Sequence, residues 1–219
     1  MRNVKIAPSI FASNFLNLKE ELENLEKLGV DYLHYDIMDN HFVPNISFGP
    51  LITKQISEAT KIPGDVHLMI DLSEEKIKPF FLRNIEFITL HLEAPGFSRD
   101  LLKFIKENGK KPGISVKPST PPEEIEQFLD LVELVLVMTV EPGFSGQTLI
   151  SETIDKIGKV REILEKNSKD KDIYLETDGG ISLSNIRQVV EKGANLIVMG
   201  SFFFRDNNGK KVVDFLNTL

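Results

Sequence analysis

The sequence predicts an α/β fold, a (β/α)8 TIM barrel forming one catalytic domain over residues 1–219. Three observations carry that expectation. Eight short β-rich runs alternate with longer amphipathic segments from end to end. No linker, repeat or low-complexity stretch interrupts them. An open dinucleotide-binding sheet would want a G-x-G-x-x-G fingerprint after its first strand, and Pro8-Ser9-Ile10 stands there instead.

The strands are expected over residues 4–10, 32–38, 64–70, 87–93, 112–117, 134–140, 173–178 and 196–200. Helices are expected over 16–28, 49–59, 74–83, 98–108, 122–131, 148–166, 183–192 and 211–219. Leu18, Leu22, Leu25 and Leu28 give the first helix an apolar stripe at helical spacing. Gly29, Gly109 and Gly193 follow three of the helices, where a left-handed cap is expected.

Composition narrows the function classes. Hydrophobic residues make up 41% of the 219, enough for a substantial core, and the formal net charge of −7 argues against a nucleic-acid partner. The absence of cysteine removes disulfides, thiolate metal sites and cysteine nucleophiles, leaving histidine and carboxylate as the strong metal ligands. The N-terminal stretch has no long apolar region and no apolar run reaches membrane-spanning length, so no membrane partner and a cytoplasmic location are expected. A homo-oligomer is expected as well.

Chemistry in such a barrel collects at the C-terminal ends of the strands, and strand residues two apart point the same way. In the second strand His34, Asp36 and Met38 therefore share a face, and the apolar Leu33, Tyr35 and Ile37 share the helix-facing side. The same reasoning turns Asp65, His67 and Met69 inward on the third strand, and Glu176 and Asp178 inward on the seventh. A lone inward histidine is more often a hydrogen-bonded core residue. His34, Asp36, His67 and Asp178 together form an all-N,O set suited to one divalent cation such as Zn2+, Fe2+, Mn2+ or Co2+. Burying all four without a cation or partners would be costly.

A cation beside a carbonyl and its neighbouring hydroxyl makes the intervening C–H more acidic. Two carboxylates on opposite faces of the resulting planar enediolate can then invert the carbon, which assigns acid/base roles to Asp36 and Asp178. Met38, Met69 and Met138 would wall the same cavity without competing for the proton, although any single methionine is as readily barrel filler. Glycine-bearing loops follow the last three strands: Gly143, Phe144, Ser145 and Gly146 after the sixth, Gly179 and Gly180 after the seventh, Gly200 and Ser201 after the eighth. Each alone is an ordinary tight turn. Together they suggest a phosphate site, and the first could also serve as a lid.

These residues resemble the ribulose-phosphate 3-epimerase family. The resemblance rests on the runs APSI at 7–10, HYDIMD at 34–39, HFVPNISFG at 41–49, DVHLM at 65–69, MTVEPGF at 138–144, DGGI at 178–181 and GS at 200–201. It implies metal ligation by His34, Asp36, His67 and Asp178, with Asp36 and Asp178 exchanging acid and base roles. It further implies sugar contacts by Ser9 and His67, a mobile loop at Gly143, Phe144, Ser145 and Gly146, and phosphate binding by Gly180, Gly200 and Ser201. The implied reaction interconverts D-ribulose 5-phosphate and D-xylulose 5-phosphate in the pentose phosphate pathway. Alternatives are a 3-epimerase of a six-carbon ketose phosphate such as D-allulose 6-phosphate, or an aldolase using Lys117 as a Schiff-base lysine.

Three positions depart from the family pattern. Asn40 and Ser145 stand where glycine is usual, and Lys117 replaces an asparagine. Ser145 could stiffen the lid or bring a hydroxyl to the substrate. Lys117 is expected to pair with a rim carboxylate, Glu93 or Glu141. Glu176 is read either as orienting a ligand histidine or as a hydrogen-bonded layer residue, and His41 as structural.

Overall fold

The computed structural model describes residues 4–167 and 172–219. Its eight parallel strands are β1 (Lys5–Pro8), β2 (Leu33–Met38), β3 (Gly64–Met69), β4 (Ile85–His91), β5 (Lys111–Val116), β6 (Leu134–Met138), β7 (Tyr174–Asp178) and β8 (Leu196–Met199). They pair in sequential order, with β1 beside β8. The seam between β1 and β2 is closed by a parallel bridge from Ser9 to His34. The Asp31 and Tyr32 N–H groups add to it by donating to the Ile6 carbonyl at 3.1 and 3.2 Å. This is the (β/α)8 barrel the alternation predicts.

The connecting helices among the described residues are α1 (Leu18–Leu28), α2 (Pro50–Ala59), α3 (Glu74–Ile77), α4 (Arg99–Glu107), α5 (Glu152–Asn167), α6 (Ile186–Glu191) and α7 (Asn208–Leu216). On α1, Leu22 and Leu25 are buried and Leu18 and Leu28 pack half-buried against the same core. Gly29 ends that helix at φ 66°, a left-handed conformation that costs little without a Cβ. Helix bounds shift by a few residues in places, as where α5 starts at Glu152 rather than at 148, and two helices differ in kind from expectation. The third stops after four residues and tightens into a 3-10 turn, Lys78–Phe80, because Pro79 has no N–H to continue the ladder. The fifth is a 3-10 helix throughout, Pro122–Phe128.

Leu33, Tyr35, Ile37, Val66 and Leu68 face the helices and join the main core, as their parity predicts. The barrel interior is layered. Its floor is an aromatic plug in which Tyr32 meets Phe87 and Phe87 meets Tyr174 edge-on, at centroid separations of 5.5 and 5.7 Å. Lys5 Nζ lies 4.9 Å from the Tyr174 ring and Lys111 Nζ 5.3 Å from that of Phe87, so two ammonium groups cap the plug. Above it the interior turns polar.

Candidate active site

His34 and Asp36 project inward from β2, His67 from β3 and Asp178 from the end of β7. Each offers one ligand atom, and these atoms lie within 4.8 Å of one another. His34 Nε2 and Asp36 Oδ1 are 3.4 Å apart, and His67 Nδ1 is 3.5 Å from the same oxygen. Both histidines are fully buried, Asp36 is buried and Asp178 half-buried. Two imidazoles and two carboxylates with ligand atoms this close fit a single divalent cation once both imidazoles are neutral.

The electrostatics separate the two aspartates. Burial pushes the Asp36 carboxyl up, but the His34 and His67 imidazoles beside it outweigh burial and hold it well below the usual carboxylate range. Asp178 is pushed up to about 6, first by burial and then by the negative charge of Asp36, against the two histidines. Burial lowers His34, yet Asp36 and Asp65 overcome this and raise it well above its ordinary value. Asp36 is therefore ionised while Asp178 keeps its proton up to about pH 6, an inequality of the kind that acid/base work on a single carbon uses.

Over the cluster lies a cavity of about 330 Å3. Ser9, Asp36 and Asp178 form its base, and Met38, Met69 and Met138 its apolar wall. The loop residues Gly143, Phe144, Ser145 and Gly146 line one side, and Gly179, Gly180, Gly200 and Ser201 line the mouth. His34 and His67 lie beneath this surface and reach the cavity only through the cluster. Ser9 Oγ donates to Asp36 Oδ2 at 2.5 Å, orienting the carboxylate. Gly180 has φ 62°, and a Cβ there would come within 2.2 Å of the Leu149 backbone nitrogen, so any side chain would collide with main chain.

The glycine loop after β6 is tied at several points. Asn45 Nδ2 donates to the Gly143 carbonyl at 2.8 Å, and Gln147 Nε2 donates to the carbonyls of Glu141 and Phe144 at 2.6 and 3.0 Å. After β8, Gly200 and Ser201 open a turn, and α7 begins only at Asn208.

The departures acquire physical reasons here. Asn40 has φ 60°, so the position needs the left-handed region, where asparagine is tolerated better than most side chains. A Cβ built on Gly200 would lie 3.5 Å from Ser145 Oγ, so the extra hydroxyl faces across the mouth. Lys117 does not form the expected ion pair with Glu93 or Glu141. Its Nζ stacks 4.1 Å from the Phe42 ring centroid, and its backbone N–H is what donates to Glu93 Oε1, at 2.7 Å. It does not line the cavity, which leaves the aldolase alternative without a nucleophile.

Glu176 does not orient His34 directly. Asp65 does, with Oδ2 2.8 Å from His34 Nδ1, while Glu176 Oε1 stands 3.7 Å away. Asp65 was visible by parity as an inward residue, but nothing in the sequence ranks it above Glu176. His41 is structural, its N–H donating to Asp39 Oδ1 at 2.9 Å.

The profile of the ribulose-phosphate 3 epimerase family matches residues 5–204. The chain is 40% identical to a ribulose-phosphate 3-epimerase of Bacillus subtilis over 210 residues, covering 96% of each protein. It is 37% identical to one from Escherichia coli over 215 residues, 98% of this chain and 95% of the relative. A third, from Methanocaldococcus jannaschii, shares 40% over 96% of this chain and 88% of its own. Among solved structures, a mutant tryptophan synthase alpha-subunit from Pyrococcus furiosus superposes with TM-score 0.68 at 15% identity, covering 100% of this chain and 97% of that one. At that identity the likeness concerns the barrel alone.

Proposed function

Because the chain belongs to the ribulose-phosphate 3-epimerase family, we propose that its barrel mouth interconverts D-ribulose 5-phosphate and D-xylulose 5-phosphate by moving the proton on C3. The enzyme is thus an isomerase. The observation that carries the site assignment is geometric: His34, Asp36, His67 and Asp178 each bring one ligand atom within 4.8 Å of the others, and Asp36 and Asp178 line the cavity.

His34, Asp36, His67 and Asp178 would hold one divalent cation, Zn2+, Fe2+, Mn2+ or Co2+. When bound, it supplies Lewis-acid stabilisation for the negative charge that develops on the two neighbouring oxygens. The C3–H bond breaks toward the ionised aspartate, which takes the proton while the electron pair moves to the C2 carbonyl oxygen. The protonated aspartate delivers its proton to C3 from the opposite face, and the pair returns to C2 as the carbonyl re-forms. The two aspartates end with roles exchanged, and proton exchange with water resets them. Ser9 holds Asp36 in its working orientation through the bond to Oδ2. Met38, Met69 and Met138 keep water from the planar intermediate. The loop 143–146, with Gly179, Gly180, Gly200 and Ser201, receives the phosphate through backbone N–H groups.

The reading takes a small sugar phosphate as partner, in the cytoplasm, with no nucleic acid or membrane. No helix among the described residues is long and apolar enough to cross a bilayer. The exposed Leu16, Ile46 and Leu51 side chains support a homo-oligomer.

Epimerisation in deuterated water tests the chemistry. Product and recovered substrate should both carry deuterium at C3. Full retention of the original hydrogen would rule out an aspartate pair that exchanges with solvent.

A further inference from the structure

The two cluster histidines are oriented from behind by different devices. His34 turns Nδ1 to Asp65 at 2.8 Å, which leaves Nε2 facing the cluster. His67 is turned the other way. Its Nδ1 faces the cluster, 3.4 Å from His34 Nε2, and its Nε2 lies 2.8 Å from His91 Nε2. Two imidazole nitrogens at that distance share one hydrogen, and the remaining contacts decide whose it is.

A His67 that ligates through Nδ1 must leave that nitrogen bare. Its hydrogen is then on Nε2, and His91 Nε2 accepts it. The hydrogen of His91 must in turn sit on Nδ1, where Glu93 Oε2 lies 3.0 Å away. Glu93 Oε1 is occupied by the Lys117 N–H at 2.7 Å and by the Thr120 hydroxyl, both donors, so this carboxylate is held as an acceptor. Every link has one donor and one acceptor, all running toward Glu93. The ring of His91 is fully buried and lies between His67 and Phe42, at centroid separations of 4.9 and 4.8 Å. Lys117 Nζ sits over Phe42 at 4.1 Å.

From this directional chain we infer that His91 and Glu93 are positioning residues that fix His67 as the Nε2–H tautomer and aim its Nδ1 at the cation. Partners one bond behind a ligand typically govern its tautomer and basicity. Position 117 accepts a lysine because the relay uses only its backbone N–H, while the side-chain ammonium lies over the Phe42 ring. It rests on the proposed ligation by His67, and its test separates the two.

The chain has four histidines, so two-bond 1H–15N spectra of the 15N-labelled, Zn2+-loaded protein can resolve every ring, with exposed His41 as reference. The expected result is a Zn2+-dependent shift at His34 Nε2 and His67 Nδ1, with hydrogen on His67 Nε2 and on His91 Nδ1. Zn2+-dependent shifts together with hydrogen on His91 Nε2 would overturn the relay and leave the metal site standing. No histidine shift on Zn2+ addition would overturn the ligation and the relay with it. In a chelator competition, Glu93→Gln should weaken Zn2+ binding by roughly 10–100-fold, because its amide would oppose the Lys117 N–H or the His91 N–H with a donor. Unchanged affinity would contradict the inference.

Discussion

The floor and the mouth of this barrel both crowd charged or polar groups into a confined space, and they resolve the crowding in opposite ways. At the floor, Tyr32, Phe87 and Tyr174 present aromatic faces to Lys5 and Lys111, and Glu86 takes the Lys111 ammonium at 2.7 Å. Opposite partners meet and nothing is left in conflict. At the mouth, Asp36 and Asp178 approach each other; the His34 and His67 imidazoles keep Asp36 ionised, and burial together with that charge holds Asp178 back. The floor is settled by its own residues. The mouth gathers two imidazoles and two carboxylates that could hold a cation, and the closeness of the two carboxylates keeps their proton affinities apart.

Substitutions at the two ends should therefore separate activity from stability. The largest effect is expected at the mouth. Asp36→Asn or Asp178→Asn should cut turnover by roughly 10²–10⁴-fold, the usual worth of a general acid or base. The melting temperature should hold or rise for Asp178→Asn, whose raised carboxyl opposes the Asp36 charge, and fall for Asp36→Asn, which strips His34 and His67 of a counter-ion. Steady-state kinetics beside calorimetry would check both halves. Next comes Phe87→Ala at the floor, which should cost about 3–5 kcal/mol of stability while the folded fraction keeps its kcat. A floor variant that loses activity but not stability would erase the distinction.

A smaller effect concerns pH. In the metal-free protein Asp178 titrates at about 6, and His34 is held protonated to well above its ordinary value. Both must lose a proton before they can ligate, so acid opposes binding at each. Cation affinity should then weaken by roughly tenfold or more per pH unit as pH falls below about 6, with protons released on binding. Titrations at pH 5 and 7 in buffers of different ionisation enthalpy would detect this, and pH-independent affinity would contradict it. The smallest effect is expected from Lys117→Asn. It removes a cation–π contact worth about 0.5–1 kcal/mol and leaves the Glu93 hydrogen bond from the backbone intact, so kcat/KM should stay within about threefold.

The same contrast explains what could be read before the structure was known. Strand parity places His34, Asp36, His67 and Asp178 together because side-chain direction along a strand is a local property. Helix ends are governed less locally: Pro79 cuts α3 short, and α5 starts only at Glu152, after Leu149 has passed under Gly180 and the Ile150 N–H has bonded to the Thr139 carbonyl. The floor plug went unread because Tyr32, Phe87 and Tyr174 lie 55 or more residues apart in sequence and only the barrel register unites them. For a related reason the sequence ranks neither Asp65 nor the His91–Glu93 chain: parity shows that a residue faces inward, not which neighbour its hydrogen bond selects. The ion pair expected of Lys117 failed because Phe42, brought over from the loop after β2, offers the ammonium an aromatic face first.

Whether this mouth needs a cation to move a proton at C3 can be decided by chelating the purified protein to below about a tenth of an equivalent of metal, assaying ribulose 5-phosphate epimerisation, and restoring Zn2+, Fe2+, Mn2+ or Co2+ singly. Activity should vanish with the metal and return at one equivalent per chain for at least one of the four. Full turnover by demonstrably metal-free protein would mean that the four residues act without a cation.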